Sequence, residues 1–260
     1  HTFTQFERRN GFFGIGNNRL LTCNRRQIFD SGVNSLAINN GIAAVQHRAD
    51  IERNIIFISA LFSNYTEFLP EKVAQFRKLN PAYRFRIEYK YTSMIVNDVL
   101  LGNSELGVCS NLSQNDPALC SLDRRIIYKE PVGLIVSKNH PFVHRSAVSI
   151  EDLRDERFVV YIRSARGTNQ MLYDLCAPYG FEPNIAMEAY NDYGVLNAVA
   201  IGDGIAIIPI TRFLDRPDVV RIPLDLKQPL MRDLTLIWRK SEKLPPAAAA
   251  FRDMLISTSQ

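Results

Sequence analysis

The sequence predicts an α/β protein built from two lobes. Two stretches of alternating strand-like and helix-like segments, 54–107 and 157–208, predict this class, because such alternation is typical of parallel sheets covered by helices. The chain passes from the first stretch to the second near residues 129–131 and returns near 219–223. Two lobes joined by two crossings form a clamshell, and the cleft between them is the default place for a ligand.

The first stretch predicts a βαβαβ unit. Its apolar run at 55–58 is long enough for one buried strand. The helix that follows carries Leu69, Val73 and Phe76 at helical spacing, which marks the face that packs on the sheet, and Pro81 closes it. The remaining elements of this unit are predicted at 83–89, 93–101 and 106–109.

The rest of the chain predicts a second unit and a return to the first. The strands are expected at 119–128, 131–137, 157–162, 184–189, 204–208 and 234–238, and the stretch 219–223 leads back to the first unit. The helices are expected at 150–153 (capped by Ser149), between 168 and 180, at 194–201 and at 245–256.

Two loops of the first unit, 59–65 and 92–95, lie where strands end and helices begin. A helix start offers unpaired N–H groups and a partial positive charge, so both loops suit an anionic or hydrogen-bonding small molecule. An ordinary βα turn explains either loop equally well at this point.

Composition and charge favour a water-soluble globular chain. Hydrophobic residues make up 46% and charged residues 22% of the 260 residues, and no apolar run approaches the roughly 20 residues of a membrane helix. The net charge is +4, and residues 1–50 carry six arginines against three acidic residues. This basic excess could meet phosphate or could form a solvated face. The four cysteines show no paired spacing, which indicates reduced thiols, and with no signal peptide we expect a cytoplasmic protein.

The N-terminal fifth predicts a hairpin followed by a helix. Two short strand-like pieces within 3–22 flank a glycine-rich tip. The helix that follows, to about residue 48, has a thin apolar seam at heptad spacing with Asn40 inside it, a pattern that fixes the register of paired helices. We expect this helix to pair with a second copy of the chain. The seam consists of Phe29, Val33, Leu36, Asn40, Ala43 and His47.

Ten stretches, in order along nearly the whole chain, resemble the LysR-type bacterial transcriptional regulators. They are QFERR, LLTCNRRQIF, FLPEKVAQFRKLNP, ELGVCS, NHPF, VSIEDLRDERFVVY, YGFEPNIAME, LNAVAIGDGIAIIPI, LTLIWRK and AAAAFRDML. Two positions depart from the family pattern, since Arg25 stands where the family has a glycine and Glu105 where it has an aspartate.

The resemblance implies a periplasmic-binding-protein-like effector domain behind a linker helix. It assigns 1–22 to a remnant of the winged helix-turn-helix (the wing), 23–50 to the linker and dimerisation helix, 51–129 with 220–260 to effector lobe I, and 130–219 to effector lobe II. Relatives bind promoter DNA as dimers or tetramers, so we expect a homodimer or homotetramer. The recognition helix is missing from this chain, and Arg8 and Arg9 of the wing would contact the DNA backbone in the full-length protein.

The resemblance also places an effector pocket between the lobes. Thr92 and Ser93 would hold a polar or anionic group of the effector, and Arg163 and Arg166 add charge suited to a carboxylate. No cofactor other than this small molecule is implied. The pocket positions are Ala60, Ser63, Asn64, Thr92, Ser93, Met94, Arg163, Ser164, Arg166, Thr168, Tyr190, Asn191, Asp192, Ile208 and Pro209.

The sequence favours other functions less. His140 and His144 have a metal-like spacing, but Pro141 between them indicates a turn. Cys109 has no recognisable base beside it, so we do not expect an enzyme. The resemblance to the peroxide-sensing branch of the family implies that a redox partner of Cys176 would stand at position 167, and Gly167 occupies that place, so we do not expect a disulfide switch. A periplasmic-type solute-binding protein has the same two lobes, but it has no use for the helix at 23–50.

Overall fold

The structure, a computed structural model, describes residues 54–62, 68–110, 112, 117–162, 169–240 and 243–258. The predicted hairpin, the helix at 23–50 and the wing residues Arg8 and Arg9 lie outside these residues. The described strands are β1 (Ile55–Ala60), β2 (Arg84–Tyr89), β3 (Leu106–Cys109), β4 (Leu122–Ser137), β5 (Arg157–Tyr161), β6 (Asn184–Ala189), β7 (Ala206–Pro209), β8 (Val219–Ile222) and β9 (Met231–Arg239). The described α-helices are α1 (Phe68–Leu79), α2 (Thr92–Leu101), α3 (Gln170–Cys176), α4 (Asp192–Ile201) and α5 (Pro246–Ser257).

The first lobe contains the βαβαβ unit that the sequence predicts. Strands β2, β1 and β3 are parallel and lie in that order, and β3 continues the sheet through antiparallel pairing with β9. The apolar face of α1 is buried as its spacing predicts, with Leu69 and Phe76 almost inaccessible. Phe76 meets Phe251 of α5 edge to face with ring centroids 5.2 Å apart, so the two helices pack together on the sheet.

The predicted break between two strands near Pro131 is wrong, because β4 is one continuous strand of 16 residues. Pro131 has no N–H to donate, which normally excludes proline from a central strand. Here it lies where β4 changes partners: Pro131 is the last residue in register with β9, and Val132 is the first in register with β7. The Pro131 carbonyl still accepts the N–H of Ile210 at 2.8 Å. The missing donor therefore falls at a junction, and β4 runs through both lobes.

The second lobe surrounds the second half of β4. Strands β7 and β8 both pair with it antiparallel, and β5 and β6 form a parallel pair that joins through a bridge between Phe158 and Ile205. Leu134 and Val136 of β4 pack in one apolar cluster, whereas Ile135 packs in another on the opposite face. This sheet is therefore covered on both sides, as expected of an α/β lobe.

The chain returns to the first lobe later than the boundary predicted at residue 220. Strand β8 pairs with residues 134–137 of β4, and Ile222 is buried in a cluster of the second lobe. Pairing with the first half of β4 begins only at Met231. The apolar side chains at 219–222 fit either lobe by composition, and their pairing with β4 decides that they belong to the second.

A buried ion pair joins the two strands that cross between the lobes. Glu130 of β4 and Arg232 of β9 lie directly opposite each other, and each residue is 5–6% exposed. The Arg232 guanidinium donates from Nε to Glu130 Oε2 at 2.9 Å and from a terminal nitrogen to the same oxygen. Each charge stabilises the other, because the burial of either charge without its partner would cost several kcal/mol of desolvation free energy.

Within the described residues, no helix combines the length and apolar character that a membrane crossing requires.

Replacing Arg232 with Met is expected to lower the free energy of unfolding by about 3–5 kcal/mol, because it leaves the Glu130 carboxylate buried without the guanidinium. The double variant Glu130→Met with Arg232→Met should recover most of this loss. Urea denaturation measures both.

Arg212→Met is the control, since it removes an ion pair with Glu71 whose side chains are 72% and 61% exposed. Such a pair contributes at most about 1 kcal/mol. A loss in Arg232→Met no larger than that in Arg212→Met would contradict the role given to the buried pair.

Candidate effector site

The first-lobe side of the cleft is formed where β1 ends and α2 begins. Ala60 closes β1 and is fully buried, and the Leu61 N–H that follows donates to the Val108 carbonyl at 3.1 Å. Phe62 is 39% exposed and contacts the rings of Tyr89 and Tyr91 at centroid distances of 6.3 and 6.1 Å. Ala60 and Leu61 are thus buried, and the rings of Phe62, Tyr89 and Tyr91 pack together beside them. The predicted site residues Ser63 and Asn64 lie outside the described residues.

The start of α2 presents two open backbone donors. Tyr91 is its N-cap in extended conformation, and its carbonyl accepts the N–H groups of both Met94 and Ile95. The Tyr91 side chain does not cap the helix. The N–H groups of Thr92 and Ser93 have no acceptor among the described residues, and α2 has no acidic residue in its first turn. The helix dipole adds partial positive charge at the same point, so this corner suits an anion.

The three predicted residues of α2 differ in what they can offer a ligand. Thr92 is 3% exposed, and its hydroxyl donates to the Ser110 carbonyl at 2.9 Å. That hydroxyl therefore fastens α2 to the end of β3 instead of facing the cleft as expected. Ser93 is half-buried, and Met94 is 48% exposed.

A polar cluster below α2 holds the helix in place. Asp98 of α2 accepts hydrogen bonds from the Ser59 hydroxyl at 2.7 Å and from the Lys90 ammonium at 2.6 Å. Lys90 also pairs with Glu88 at 2.6 Å. Partial burial lowers the pKa of Lys90, but the bonds to Asp98 and Glu88 outweigh it and raise the pKa on balance, so the ammonium stays charged. Sequence reasoning missed this cluster, because its members come from three separate elements.

The second-lobe side of the cleft is formed around the start of α4. Tyr190 is 66% exposed, and its carbonyl accepts the hydroxyl of Tyr91 from the first lobe at 3.1 Å. Asn191 caps α4 by accepting the Gly194 N–H at 3.0 Å. Asp192, only 3% exposed, accepts the Tyr161 hydroxyl at 2.5 Å. Of these predicted residues, Tyr190 alone is exposed, and the side chains of Asn191 and Asp192 are engaged within their own lobe.

Asp192 and Tyr161 form a buried pair next to the crossing strands. Burial raises the pKa of the Asp192 carboxyl, and the hydrogen bond from Tyr161 and the charge of Arg232 act against that rise. Burial and the neighbouring Asp192 carboxylate raise the pKa of Tyr161 well above its usual value, so its hydroxyl remains a donor. The start of α4 is thereby fixed to the end of β5.

Ile208 and Pro209 line a small pocket in the second lobe. Its volume is about 30 Å³, which is room for little more than a water molecule. Sequence reasoning did not identify Tyr161, Asn169 and Arg232 as part of this wall, and no motif marks them. The other lining residues are Val132, Val160, Met171, Leu172 and Ile207.

The predicted second-lobe residues Arg163, Ser164, Arg166 and Thr168 lie outside the described residues. The described residues on either side of them are joined, because Asn169 Nδ2 donates to the Tyr161 carbonyl at 2.8 Å. Both of these flanking residues line the small pocket.

The other sequence candidates have structural roles. His140 accepts the Phe142 N–H through Nδ1 at 3.2 Å and so caps a short 3-10 helix, Pro141–His144. No cluster of potential metal ligands occurs in the described part of the chain. Cys109 and Cys176 are free and fully buried, and burial raises the pKa of both thiols, that of Cys176 to about 11. Thiols in this state are poor nucleophiles.

Replacing Thr92 with Val is expected to lower the free energy of unfolding by about 1–3 kcal/mol, because the buried Ser110 carbonyl loses its hydroxyl partner. Ser93→Ala is the control, since the Ser93 hydroxyl makes no bond to the described residues. Urea unfolding midpoints compare the two variants, and equal midpoints would show that the Thr92 bond contributes nothing.

The chain is similar to known proteins over most of its length. Residues 52–260 match the model of the LysR substrate binding domain. The chain is 28% identical to the HTH-type transcriptional regulator AlsR of Bacillus subtilis over 212 residues, which cover 81% of this chain and 68% of AlsR. The relatives found in this way are transcriptional regulators.

Solved effector-binding domains share the fold. The effector-binding domain of QuiR in complex with shikimate superposes with a TM-score of 0.72 at 21% sequence identity. This match covers 79% of this chain and 96% of the QuiR chain. The effector-binding domain of BenM with its effector benzoate superposes with a TM-score of 0.67 at 20% sequence identity. This match covers 78% of this chain and 90% of the BenM chain. Because the family model matches most of this chain, the chain belongs to the LysR family of transcriptional regulators.

Proposed function

We propose that the two lobes sense a small effector with an anionic or polar group, held in the cleft between them, and that its binding controls transcription by the full-length regulator. The observation that carries the proposal is the start of α2. The N–H groups of Thr92 and Ser93 have no acceptor there among the described residues, and they directly follow Tyr91, whose hydroxyl contacts Tyr190 of the second lobe.

The charges around α2 favour an anion at this point. Asp98, the acidic residue of α2, is neutralised by Lys90 at 2.6 Å. Asp192, across the cleft, is buried against Tyr161. Neither carboxylate therefore opposes the positive end of the helix dipole, and a helix start with open N–H groups is a recurrent anion site. The two similar domains bind shikimate and benzoate, both carboxylates, which supports an effector of this class.

The rim of the cleft provides the contact that a ligand can alter. The hydrogen bond between the Tyr91 hydroxyl and the Tyr190 carbonyl lies between exposed groups, so it contributes little in water. An effector that contacts α2 and the second lobe together would favour one arrangement of the lobes over others. The effector shifts the equilibrium between two arrangements of the lobes only as far as its binding free energy differs between them.

In the full-length regulator, the other partners are a second copy of the chain and promoter DNA. The heptad seam within 23–50 supports a homodimer or homotetramer, and the family supports DNA binding through the helix-turn-helix, with Arg8 and Arg9 on the DNA backbone. The chemistry requires no cofactor and no catalytic residue, and DNA as partner places the protein in the cytoplasm.

Thr92→Pro is expected to weaken effector binding at least about tenfold relative to Thr92→Val, since a hydrogen bond to a charged group contributes roughly 1.5–3 kcal/mol. Both variants lose the threonine hydroxyl, and only the proline variant also loses the N–H. Proline suits the first position of a helix, and the extended Tyr91 before it is compatible. A thermal-shift screen of carboxylates, amino acids and sugar phosphates supplies the ligand, and calorimetry measures the affinities. Equal affinities in the two variants would rule out the Thr92 N–H as a ligand donor.

Leu36→Asp is expected to lower the oligomeric state, because it puts a charge into the predicted apolar seam. Ser35→Asp adds the same charge beside the seam and should leave assembly unchanged. Light scattering at micromolar concentration separates the species, and an unchanged mass for Leu36→Asp would show that the seam is assigned wrongly.

A further inference from the structure

The two strands that follow each other along one edge of β4 leave a gap between them. Strand β8 pairs with β4 up to Ile222 opposite Leu134, and β9 pairs with it from Met231 opposite Pro131. Along this edge, the distance from Leu134 to Pro131 is only about three residues of β4. The chain connects Ile222 to Met231 across that distance with eight residues, 223–230. The excess length forms a loop that stands away from β4, and a pocket lies between the loop and the strand.

This pocket, named here the return-loop pocket, has a volume of about 230 Å³. That is below the roughly 300–1,000 Å³ of pockets for drug-sized ligands, so only a small molecule fits. Apart from Arg221 and Gln228, its walls are apolar or are formed by proline and glycine. The lining residues are Pro131, Val132, Gly133, Arg221, Ile222, Pro223, Leu224, Leu226, Gln228, Pro229 and Leu230.

Several backbone contacts keep the loop in shape without filling the pocket. The Val132 N–H donates to the Leu230 carbonyl at 2.9 Å, which closes the end nearest β9. The Val148 N–H donates to the Pro223 carbonyl at 2.9 Å, and the Asp225 N–H donates back to Val148 at 2.8 Å. Three prolines in the walls further limit the backbone. A pocket that is formed in advance spends little free energy on ordering when a ligand binds.

Arg221 supplies the charge of the pocket. Its Nε lies 3.3 Å from the position that a Cβ atom on residue 133 would occupy. The arginine therefore extends over Gly133, which leaves room for it because it has no side chain. No carboxylate among the described residues pairs with the exposed Arg221 guanidinium. The pocket thus places one cation beside the side chains of several leucines and prolines.

We propose that the return-loop pocket binds a small aliphatic monocarboxylate, with the carboxylate on the Arg221 guanidinium and the alkyl chain against Leu224, Leu226 and Leu230. A guanidinium matches the two oxygens of a carboxylate with two parallel hydrogen bonds. A single cation does not balance a doubly charged phosphate ester. Val132 also lines the small pocket beside Ile208 and Pro209, but none of the lining residues belongs to α2, α4 or the end of β1, so this site is distinct from the one at α2.

Titration of the 260-residue protein with hexanoate, followed by the methyl NMR signals of its leucines and isoleucines, tests the site. We expect shifts at Leu224, Leu226 and Leu230 in the wild type at millimolar hexanoate. Arg221→Met should weaken the binding about tenfold or more, because it removes the charged hydrogen-bond partner. Arg84→Met, which removes an exposed arginine of the first lobe, should leave it unchanged. Hexan-1-ol has the same chain without the charge and should bind at least about tenfold more weakly than hexanoate.

Three results would overturn the proposal: no methyl shifts at millimolar hexanoate, shifts confined to Leu61 and Ile208 near the cleft, or shifts at the loop leucines that Arg221→Met leaves unchanged. These results do not test the proposed effector site, because the test of that site compares the Thr92 variants and not Arg221.

Discussion

The pairing of β4 with β9, completed by the buried contact between Glu130 and Arg232, is the constraint on which the rest of the structure depends. β4 is long enough to serve both lobes, and among the described strands only β9 pairs with its first half. The ion pair lies at the point where β4 exchanges β9 for strands of the second lobe. It therefore fixes the register of the crossing while leaving each lobe its own apolar core.

The candidate effector site follows from this frame. Because β1 and β2 are parallel and end at the same edge, the start of α2 is brought to the cleft, and Asp98, Ser59 and Lys90 hold the helix there. Across the cleft, the pair of Asp192 and Tyr161 fixes the start of α4 beside Arg232. The polar side chains that sequence analysis assigned to the ligand are partly used for this fixing. The groups left for the ligand at α2 are the Ser93 hydroxyl and two backbone N–H groups, and no side-chain pattern displays the backbone donors.

Much of the fold could be predicted from the sequence because local patterns were consistent with it. The spacing of Leu69 and Phe76 predicted the buried face of α1, and the runs at 55–58 and 106–109 predicted strands of a parallel unit. The continuity of β4 through Pro131 and the place of β8 in the second lobe could not be predicted, since both depend on partners distant in sequence. For the same reason the burial of Thr92 was missed: its partner, the Ser110 carbonyl, is 18 residues away on another element.

In the proposed function, the N–H groups of Thr92 and Ser93 at the start of α2 receive the anionic group of the effector. Amide chemical shifts of Thr92 and Ser93, recorded in the protein with and without a ligand found by the screen, test it most directly. A hydrogen bond to a carboxylate moves an amide proton signal downfield, so both signals should shift downfield on saturation. Saturable binding of the ligand with both amide signals unchanged would contradict the account.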